Sequence, residues 1–333
     1  MKLIVALFTS ILALGPVSRA ASMPSTAPQW HTLATEAYPK KRDDIVFVDA
    51  HTGFNGTGKG KLYRTQDGGQ SWQQVWSKPG TFIRSLGFID TKHGFLGNLG
   101  AGLASITDAT PLYDTKDGGV TWEAAKIGGA AIPGVCSIDV LKSRSIHEGD
   151  ISERYYIHAA GRANGHKLLR SEDGGETWTP IDLSERAGMI LDVKFFDPNT
   201  GFVFAATRRD LAQSNALILK TNDGGRTWRQ VYRSNRLNEI IWKVSFANSR
   251  VGYATLQNDD PANAQQRIVK TVDGGEPWSE LPLIAAVGGF ETSDGGKSWR
   301  PSTLAPKANK IRVRAADGKP MIYAIGSEVQ IYR

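Results

Sequence analysis

The chain repeats one eight-residue pattern six times, and this repetition restricts the possible folds more than any other feature. The pattern reads Ser/Thr-x-Asp-Gly-Gly-x-x-Trp, with short β-prone segments on both sides. Its aspartates are Asp67, Asp117, Asp173, Asp223, Asp273 and Asp294, and its tryptophans are Trp72, Trp122, Trp178, Trp228, Trp278 and Trp299. Self-similarity at a fixed period is the signature of a repeat protein in which each unit is one small supersecondary element.

Each copy of the pattern, called a box below, predicts a β-hairpin turn that its own side chains hold. Glycine accepts the positive φ of a tight turn, the aspartate accepts hydrogen bonds from turn amides, and tryptophan buries a large flat surface beside the turn. A calcium site is the first alternative, but calcium takes about six to eight oxygens and one carboxylate supplies few. Catalysis is the second alternative, but it needs different groups at one place, whereas the box puts the same groups at six places. We therefore interpret the repeated Asp and Trp residues as structural.

The spacing of the boxes predicts four strands per repeat. Consecutive box aspartates are separated by 50, 56, 50, 50 and 21 residues, and a period of about 40 to 50 residues is typical of a propeller blade. Two further strands fit between boxes, as in Ile190 to Phe196 followed by Gly201 to Ala206. A Gly-aromatic pair opens the second strand of most repeats: Gly53-Phe54, Gly94-Phe95, Gly201-Phe202 and Gly252-Tyr253. With no helical periodicity, this predicts an all-β chain folded as a seven-bladed β-propeller.

The two ends of the chain predict how the ring closes. After the last box, three strand-like segments occur without a further box: Lys310 to Ala315, Met321 to Ile325 and Glu328 to Tyr332. The segment Trp30 to Leu33 resembles the outer strand that follows each box. We expect this N-terminal strand to complete the last blade, because closure removes the exposed edges of an open ring.

The interval of 21 residues indicates an incomplete sixth blade. Only Ser279 to Gly288 separates the strand after Trp278 from the strand before the sixth box. At about 3.3 Å per residue, this stretch is too short for two inner strands and three turns. Pro277 is a second departure, because it replaces the Ser or Thr of the other boxes. The sequence leaves open whether the short blade is native or reflects a deletion.

The N-terminus has the pattern of an export signal. Residues 1–20 contain Lys2, an apolar run from Leu3 to Leu14 and a small-residue cleavage site ending at Ala20. The run is shorter than the roughly 20 residues of a spanning helix, which disfavours the alternative of an uncleaved anchor. We therefore expect a signal peptide at 1–20, a linker at 21–28, one propeller domain at 29–333, and a soluble periplasmic or extracellular protein.

Charge and cysteine content narrow the possible partners. The formal charge of the full chain is +7, and removal of the signal with its Lys2 and Arg19 leaves +5. In an exported protein, a modest positive charge reflects solubility or an acidic partner surface more often than nucleic-acid binding, and we expect no nucleic acid to be bound. Cys136 has no mate for an intramolecular disulfide, so we expect a buried residue in a strand.

Two groups of residues are candidates for binding. The long loops between second and third strands, at 98–110, 207–215 and 257–266, crowd the face opposite the boxes, and length variation on one face marks a binding side. That face holds the candidate partner-binding residues Arg186, Arg208, Arg209, Arg233 and Arg236. Arginine suits carboxylates and phosphates, so an acidic peptide or glycan is a candidate ligand; a solvated rim of weak ion pairs is the alternative. The inner strands add the candidate channel residues Arg84, Asp192, Lys243 and Arg312.

Motifs for common catalytic chemistry are missing from the sequence. The histidines, which show no metal-ligand spacing, are His31, His51, His93, His147, His158 and His166. There is no Gly-x-Ser-x-Gly motif and no glycine-rich loop that opens a helix. The sequence predicts no catalytic residue, metal or cofactor, although a pair of carboxylates that meets only in space remains open.

The boxes resemble Asp-box (BNR) repeats, which occur in sialidases, sortilin-type receptors and the photosystem II stability/assembly factor family. The spacing near 50, the Gly-aromatic strand starts and the segments Leu62-Tyr63-Arg64-Thr65-Gln66-Asp67-Gly68-Gly69 and Lys220-Thr221-Asn222-Asp223-Gly224-Gly225 are most similar to the last family. The resemblance covers residues 30–333 apart from the sixth blade. It implies an exported seven-bladed propeller of the sialidase-like superfamily fold that binds assembly intermediates of a membrane protein and turns over no substrate.

These observations predict a monomeric, non-enzymatic propeller that acts as a protein-binding or assembly factor. The alternative is a glycan-binding or glycan-hydrolysing Asp-box protein. A sialidase would need an arginine trio and a tyrosine activated by glutamate, and the segment Phe82-Ile83-Arg84-Ser85 is only distantly similar to the sialidase Arg-Ile-Pro motif.

Overall fold

Short strands between glycine-containing turns form seven antiparallel sheets in the described part of the chain. The computed structural model describes residues 29–40, 42–102, 105–128, 132–147, 150–161, 167–260, 262, 267–281, 290–291, 297–298, 300–302, 304, 310–316 and 319–332. The predicted signal peptide, the linker and the Asp294 and Trp299 positions of the sixth box lie outside these residues. A short 3-10 turn spans Leu211–Gln213.

The first three sheets each contain four consecutive strands in chain order. Sheet 1 consists of β2 (Arg42–Phe47), β3 (Gly53–Thr57), β4 (Lys61–Thr65) and β5 (Gln73–Ser77). Sheet 2 consists of β6 (Ile83–Phe88), β7 (Gly94–Asn98), β8 (Leu112–Thr115) and β9 (Glu123–Ala124). Sheet 3 consists of β10 (Val135–His147), β11 (Asp150–Gly161), β12 (Lys167–Ser171) and β13 (Thr179–Asp182).

The next two sheets repeat this order, and the sixth is smaller. Sheet 4 consists of β14 (Met189–Phe195), β15 (Gly201–Ala206), β16 (Ala216–Thr221) and β17 (Arg229–Arg233). Sheet 5 consists of β18 (Glu239–Phe246), β19 (Gly252–Asn258), β20 (Arg267–Thr271) and β21 (Ser279–Leu281). In the described residues, sheet 6 has the two strands that flank the sixth box, β22 (Phe290–Glu291) and β23 (Arg300–Pro301).

The last sheet closes the ring with strands from both ends of the chain. Sheet 7 contains β24 (Lys310–Ala316), β25 (Lys319–Ile325), β26 (Val329–Tyr332) and the N-terminal β1 (Trp30–Leu33). Strand β1 pairs antiparallel with β26, with Trp30 opposite Tyr332 and Leu33 opposite Val329. The predicted closure by the N-terminal strand is therefore confirmed.

Apolar cores lie between successive sheets. One core joins Leu62 of sheet 1 to Leu86 of sheet 2, and another joins Ile218 of sheet 4 to Ile241 of sheet 5. Strand β2 contacts β6, β6 contacts β10, β10 contacts β14, β14 contacts β18, and β2 also contacts β24. The first strand of each of these sheets thus lies at the centre of a ring. The fold is a β-propeller, as the repeats predict.

The glycine of each Gly-aromatic pair makes room for a phenylalanine on the neighbouring strand. Gly94 pairs with Phe88, and a Cβ at Gly94 would lie 2.3 Å from Cδ1 of that ring. The same Phe–Gly pairing occurs in sheets 1, 4 and 5. Sheet 3 instead pairs Val140 with Ile157. The two paired side chains therefore fill a similar total volume in each sheet: one large and one absent side chain in the Phe–Gly pairs, and two of medium size in the Val140–Ile157 pair.

His158 follows Ile157 and occupies the aromatic position of the pair in sheet 3. Its ring stacks on Phe195 with centroids 3.6 Å apart, and the side chain is fully buried. Neither ring nitrogen has a hydrogen-bond partner among the described residues. Burial, together with the nearby cations Arg170 and Lys194, holds the pKa of His158 well below its usual range. The histidine is therefore neutral in the folded protein near pH 7.

Substitution of His158 by phenylalanine is expected to stabilise the protein, most strongly at acid pH. The unfolded state binds a proton near pH 6.5 and the folded state does not, so stability is full above this pH and falls below it. The wild-type protein should lose up to about 1.4 kcal/mol per pH unit in this window through His158. The measurement is urea unfolding of both proteins between pH 5 and 7.5. Parallel stability profiles for wild type and His158→Phe would contradict the assignment.

Candidate functional site

Five inner strands carry a β-bulge at the same position, which brings side chains towards the ring centre. In sheets 1 to 5, one residue of the first strand has no partner, while the residues before and after it pair with consecutive residues of the second strand. These bulge residues are Asp43, Arg84, Cys136, Leu191 and Trp242. A bulge bends the strand and redirects its side chains. The residues that follow are Asp44, Ser85, Ser137, Asp192 and Lys243. The propeller channel is therefore lined by bulges of varied chemistry.

Several polar contacts join neighbouring sheets across this channel. Arg84 Nη1 lies 2.7 Å from Asp43 Oδ1, and both side chains are almost fully buried. Ser137 Oγ donates to Asp192 Oδ1 at 2.5 Å. Lys194 Nζ lies 2.7 Å from Asp139 Oδ1, while Asp139 Oδ2 accepts the backbone N–H of Phe195. The charged residues of these inner strands are called the channel cluster here: Asp43, Asp44, Arg84, Asp139, Asp192, Lys194, Lys243, Lys310 and Arg312.

Asp44 joins three sheets at once. Its carboxylate accepts two bonds from Arg312 Nη2 at 3.1 Å and lies 2.8 Å from Lys310 Nζ. It also accepts the backbone N–H of Leu86 at 3.0 Å. Burial opposes ionisation of this carboxyl, but Arg312 and Lys310 prevail, and the pKa of Asp44 lies well below its usual range. Asp44 is therefore an ionised, fully buried link between sheets 7, 1 and 2.

Lys243 stands out within the cluster. Its residue exposure is 9%, and Nζ has no hydrogen-bond or ion-pair partner among the described residues. Nζ lies 5.7 Å from the ring centroid of Trp242. Burial and the like charges of Arg84 and Lys310 hold the pKa of Lys243 well below its usual range. Lys243 is thus a buried lysine that no carboxylate contacts among the described residues, and its environment favours the neutral amine.

The structure brings together all four candidate channel residues. Arg84, Asp192, Lys243 and Arg312 lie in the channel cluster, linked by Asp43 and Asp44. Sequence reasoning missed the other five members of the cluster: Asp43, Asp44, Asp139, Lys194 and Lys310. Alignment of the inner strands against one another would have found two of them, since Asp43-Asp44 occupies the same bulge as Leu191-Asp192 and Trp242-Lys243.

The five candidate arginines also lie together, at one end of sheets 4 and 5. Gly188, two residues after Arg186, lies directly against the backbone of Arg208, so the loops that carry Arg186 and Arg208 are neighbours. A Cβ at Gly188 would lie only 2.2 Å from the Arg208 carbonyl carbon. Asn215 connects the other loops: its Oδ1 accepts Arg233 Nη2 at 2.8 Å and its Nδ2 donates to the Arg236 carbonyl at 2.8 Å. We call this surface the arginine face: Arg186, Arg208, Arg209, Arg233 and Arg236.

These arginines differ in how far they are already bonded. Arg236 Nε donates to Glu239 Oε1 at 2.8 Å, and Arg236 also contacts Glu280. Burial opposes the charged form of Arg236, but the two carboxylates prevail and raise its pKa. Arg186 and Arg208 are exposed, and their guanidinium groups have no partner among the described residues. Arg236 therefore supports the loops, whereas Arg186 and Arg208 present donors to solvent.

A long hairpin on the box side was not predicted. Strands β10 and β11 pair with each other from Val135–Gly161 out to His147–Asp150, whereas β11 pairs with β12 only over Ile157 to Ala160. The turn between the first and second strands of a sheet lies on the same side of the ring as the boxes. Connections of variable length therefore occur on both faces, and not only on the face opposite the boxes as the sequence predicted. Ile146 and Ile151 pair near the tip and are 70% and 52% exposed. The interval of 56 residues between the second and third boxes was the signal for this extension.

The boxes hold their turns in the same way wherever the structure describes them. In the first box, Thr65 Oγ1 donates to Asp67 Oδ1 at 2.7 Å and accepts the Gly69 N–H at 2.8 Å. Asp67 also accepts the N–H and hydroxyl of Ser71, and these bonds lower the pKa of Asp67 to about 2. Pro277 of the fifth box has no N–H or hydroxyl to donate, and Asp273 accepts the N–H of Glu276 instead. Among the described residues, no cluster of His, Cys, Asp or Glu has the arrangement of a metal site.

Comparison with solved structures supports the propeller assignment. No protein-family model and no curated protein matches this sequence. The structure titled "YCF48 bound to D1 peptide" is 15% identical and covers 93% of this chain and 96% of its own, with a TM-score of 0.45. A GH74 enzyme from Niastella koreensis is 17% identical and covers 87% of this chain but 45% of its own, with a TM-score of 0.54. The WD40 β-propeller domain of Doa1 is 12% identical and covers 93% and 97%, with a TM-score of 0.51.

The likenesses to the GH74 enzyme and to the WD40 domain concern the fold alone. Propellers with unrelated chemistry share it, so function must be argued from residues. This chain spans less than half the length of the GH74 enzyme.

In the part of the chain that the structure describes, no helix has the length and apolarity that crossing a bilayer requires.

Proposed function

We propose that the protein is an exported, non-enzymatic β-propeller that binds a protein partner through the arginine face, as an assembly factor similar to the photosystem II stability/assembly family. The observation that supports this most is the pair of exposed guanidinium groups on Arg186 and Arg208. Their loops are held by backbone contacts, such as Gly188 N–H to the Ala206 carbonyl at 2.9 Å and Thr207 N–H to the Asn215 carbonyl at 2.9 Å. Because the loop backbone is already held, only the arginine side chains have to be ordered when they bind a carboxylate.

The chemistry of this surface favours an acidic peptide segment of the partner. Guanidinium groups form bidentate bonds with carboxylates, which gives both orientation and energy. Glu185 and Asp210 lie in the same loops and partly offset the positive charge, so a polyanion such as nucleic acid fits less well than a short acidic segment. Because the two arginines are exposed, salt should weaken the interaction.

Charge reversal on the arginine face is expected to weaken the capture of an acidic peptide. The test is fluorescence anisotropy with a labelled glutamate-rich peptide at low and physiological salt. The double variant Arg186→Glu/Arg208→Glu should bind at least about tenfold more weakly than wild type, because two attractive contacts become repulsive. The matched control, Lys92→Glu/Arg226→Glu, makes the same change of net charge on the box side. Equal loss in both double variants would show non-specific attraction and remove the proposal.

Hydrolysis of glycans is the function that this proposal must exclude. In the channel cluster, Asp44 and Asp139 are held by cations and backbone N–H groups, as expected for structural carboxylates. We expect no turnover of fluorogenic sialosides or of xyloglucan by the purified protein. Robust turnover that disappears in Asp192→Asn would establish a glycosidase and overturn the proposal.

A further inference from the structure

The arginine face contains apolar side chains as well as guanidinium groups. A small apolar cluster lies at this end of sheets 4 and 5, separate from the core around Ile218 and Ile241. Half of its members are buried and half are only partly buried: Leu191, Ala206 and Ile240 in the first group, and Met189, Leu211 and Trp242 in the second. Apolar surface therefore reaches solvent beside the arginines.

Two of the partly buried side chains are close in the chain to an exposed arginine or to its contacts. Met189 directly follows Gly188, which lies against the backbone of Arg208. Leu211 comes shortly after Arg208 and begins the 3-10 turn Leu211–Gln213. The loop between the second and third strands of sheet 4 thus presents a guanidinium group to solvent and packs a leucine on the apolar cluster.

Leu237 adds an exposed apolar side chain to the same face. Its relative exposure is 55%, and the other large apolar side chains that are exposed in the described residues lie on the box side: Val120, Ile146, Ile151 and Val272. The turn that carries Leu237 is held from both sides. Asn215 Nδ2 donates to the Arg236 carbonyl at 2.8 Å, and Asn258 Nδ2 donates to the Leu237 carbonyl at 3.2 Å. Little backbone entropy is therefore lost when a partner covers this leucine.

The loops that carry Leu211 and Leu237 are in direct contact. The Ser214 N–H donates to the Leu211 carbonyl at 3.0 Å, and the Ser214 carbonyl accepts the N–H of Glu239 at 3.2 Å. Leu237 lies only two residues before Glu239. The two leucines therefore belong to one continuous stretch of the arginine face.

Leu237 occupies the position that Arg186 occupies in the preceding sheet. Arg186 lies five residues before the bulge residue Leu191, and Leu237 lies five residues before the bulge residue Trp242. Because the bulges align the inner strands of successive sheets, the two side chains are at equivalent places on the connections into sheets 4 and 5. A segment that crosses from one connection to the next therefore meets a guanidinium group and then an isobutyl group.

Given the function proposed above, on which this inference rests, we propose that the partner segment bound at the arginine face combines carboxylates with a large aliphatic side chain. Its carboxylates pair with Arg186 and Arg208. Its aliphatic side chain packs against Leu237 and the partly exposed Met189 and Leu211. The charged contacts orient the segment, and removal of apolar surface from water adds affinity that salt does not screen.

Four labelled peptides of equal length separate the charged contacts from the apolar contact. The Glu–Leu peptide combines glutamates with two leucines, and the Glu–Ser peptide has serines in place of the leucines. The Gln–Leu and Gln–Ser peptides replace every glutamate by glutamine. In fluorescence anisotropy at physiological salt, wild-type protein should bind the Glu–Leu peptide about tenfold more tightly than the Glu–Ser peptide. The Gln–Leu peptide should bind at least about tenfold more weakly than the Glu–Leu peptide, because it has no carboxylates.

The variant Leu237→Asn removes the exposed apolar side chain without a change of net charge. Its affinity for the Glu–Leu peptide should fall about fivefold, while its affinity for the Glu–Ser peptide stays at the wild-type value. The matched control Val272→Asn removes an apolar side chain that is 57% exposed on the box side, and it should bind the Glu–Leu peptide as wild type does. The comparison of the four peptides on wild-type protein requires neither variant to fold.

The outcomes distinguish failure of the apolar contact from failure of the proposed function. Equal affinity of wild type for the Glu–Leu and Glu–Ser peptides would overturn the inference and leave a site for carboxylates alone. Equal affinity for the Glu–Leu and Gln–Leu peptides would place the leucines in an apolar site unrelated to the arginines, which also overturns it. Equal loss in Leu237→Asn and Val272→Asn would show non-specific adsorption. Binding of none of the four peptides would overturn the proposed function itself.

Discussion

Replacement of Asp44 by asparagine is expected to lower the free energy of unfolding by about 3 to 5 kcal/mol, the cost of breaking a buried ion pair from one side. Lys310 and Arg312 would lose their counter-charge in a site where Asp44 has no exposed surface. Since domains of this kind are stable by about 5 to 15 kcal/mol, the variant should be largely unfolded in moderate urea. Chemical unfolding followed by tryptophan fluorescence measures the change.

A second substitution separates charge from packing at Asp44. In the double variant Asp44→Asn/Lys310→Met, one unpaired cation is removed, so part of the lost stability should return. The control Glu123→Gln alters an exposed carboxylate on β9 and should change stability by less than about 0.5 kcal/mol. The single variant Lys310→Met completes the cycle. If Lys310→Met lowers the stability of Asp44→Asn as much as it lowers that of the wild type, the two residues are not coupled, and loss of the ion pair does not explain the effect of Asp44→Asn.

Substitution of Gly94 by isoleucine is expected to destabilise the protein by about 3 kcal/mol, at the upper end of the usual cost of overpacking. The new Cβ would lie 2.3 Å from the ring of Phe88, which itself stacks on Phe54 with centroids 3.9 Å apart. The ring therefore cannot move aside without loss of that contact. Urea unfolding of Gly94→Ile against wild type tests this.

Sheet 3 shows how this damage can be repaired. The pair Val140–Ile157 fills the position that Phe88–Gly94 fills in sheet 2. The double variant Phe88→Val/Gly94→Ile should thus recover at least half of the stability lost by Gly94→Ile, with a coupling energy of about 2 kcal/mol in the double-mutant cycle. Ala124→Ile, at an exposed position of the same sheet, controls for strand propensity. If the effects of Phe88→Val and Gly94→Ile on stability are additive, a smaller residue at position 88 does not relieve the overpacking at position 94, and the prediction is wrong.

Much of the fold could be predicted because each box contains its own turn chemistry. The hydroxyl, carboxylate and glycines of Thr65 to Gly69 satisfy one another within a few residues, so the hairpin is a local property. The regular interval then fixes the number of strands per unit. The extended β10–β11 hairpin escaped prediction because its alternating residues are mostly polar, and nothing local distinguishes a long hairpin from a loop.

The candidate site was predicted only in part. Arg84, Asp192, Lys243 and Arg312 could be assigned to inner strands, but their partners lie on other sheets. Arg312 and Asp44, for example, are separated by 268 positions and meet only because β24 and β2 are neighbours in the closed ring. Similarly, nothing in the sequence separates Arg236, which is bonded to Glu239, from Arg186 and Arg208.

The amino-acid sequence by itself determined the repeating hairpins, the four-stranded unit, the short sixth repeat and the strand that joins the two ends. All of these depend on contacts between residues close in the chain or on a period that can be counted. Only the tertiary structure decided which charges are paired, because ion pairs in the channel form between strands of different sheets. It also decided that, among the described residues, no carboxylate contacts Lys243 and no hydrogen bond reaches the ring of His158, since burial and pairing are properties of the assembled ring.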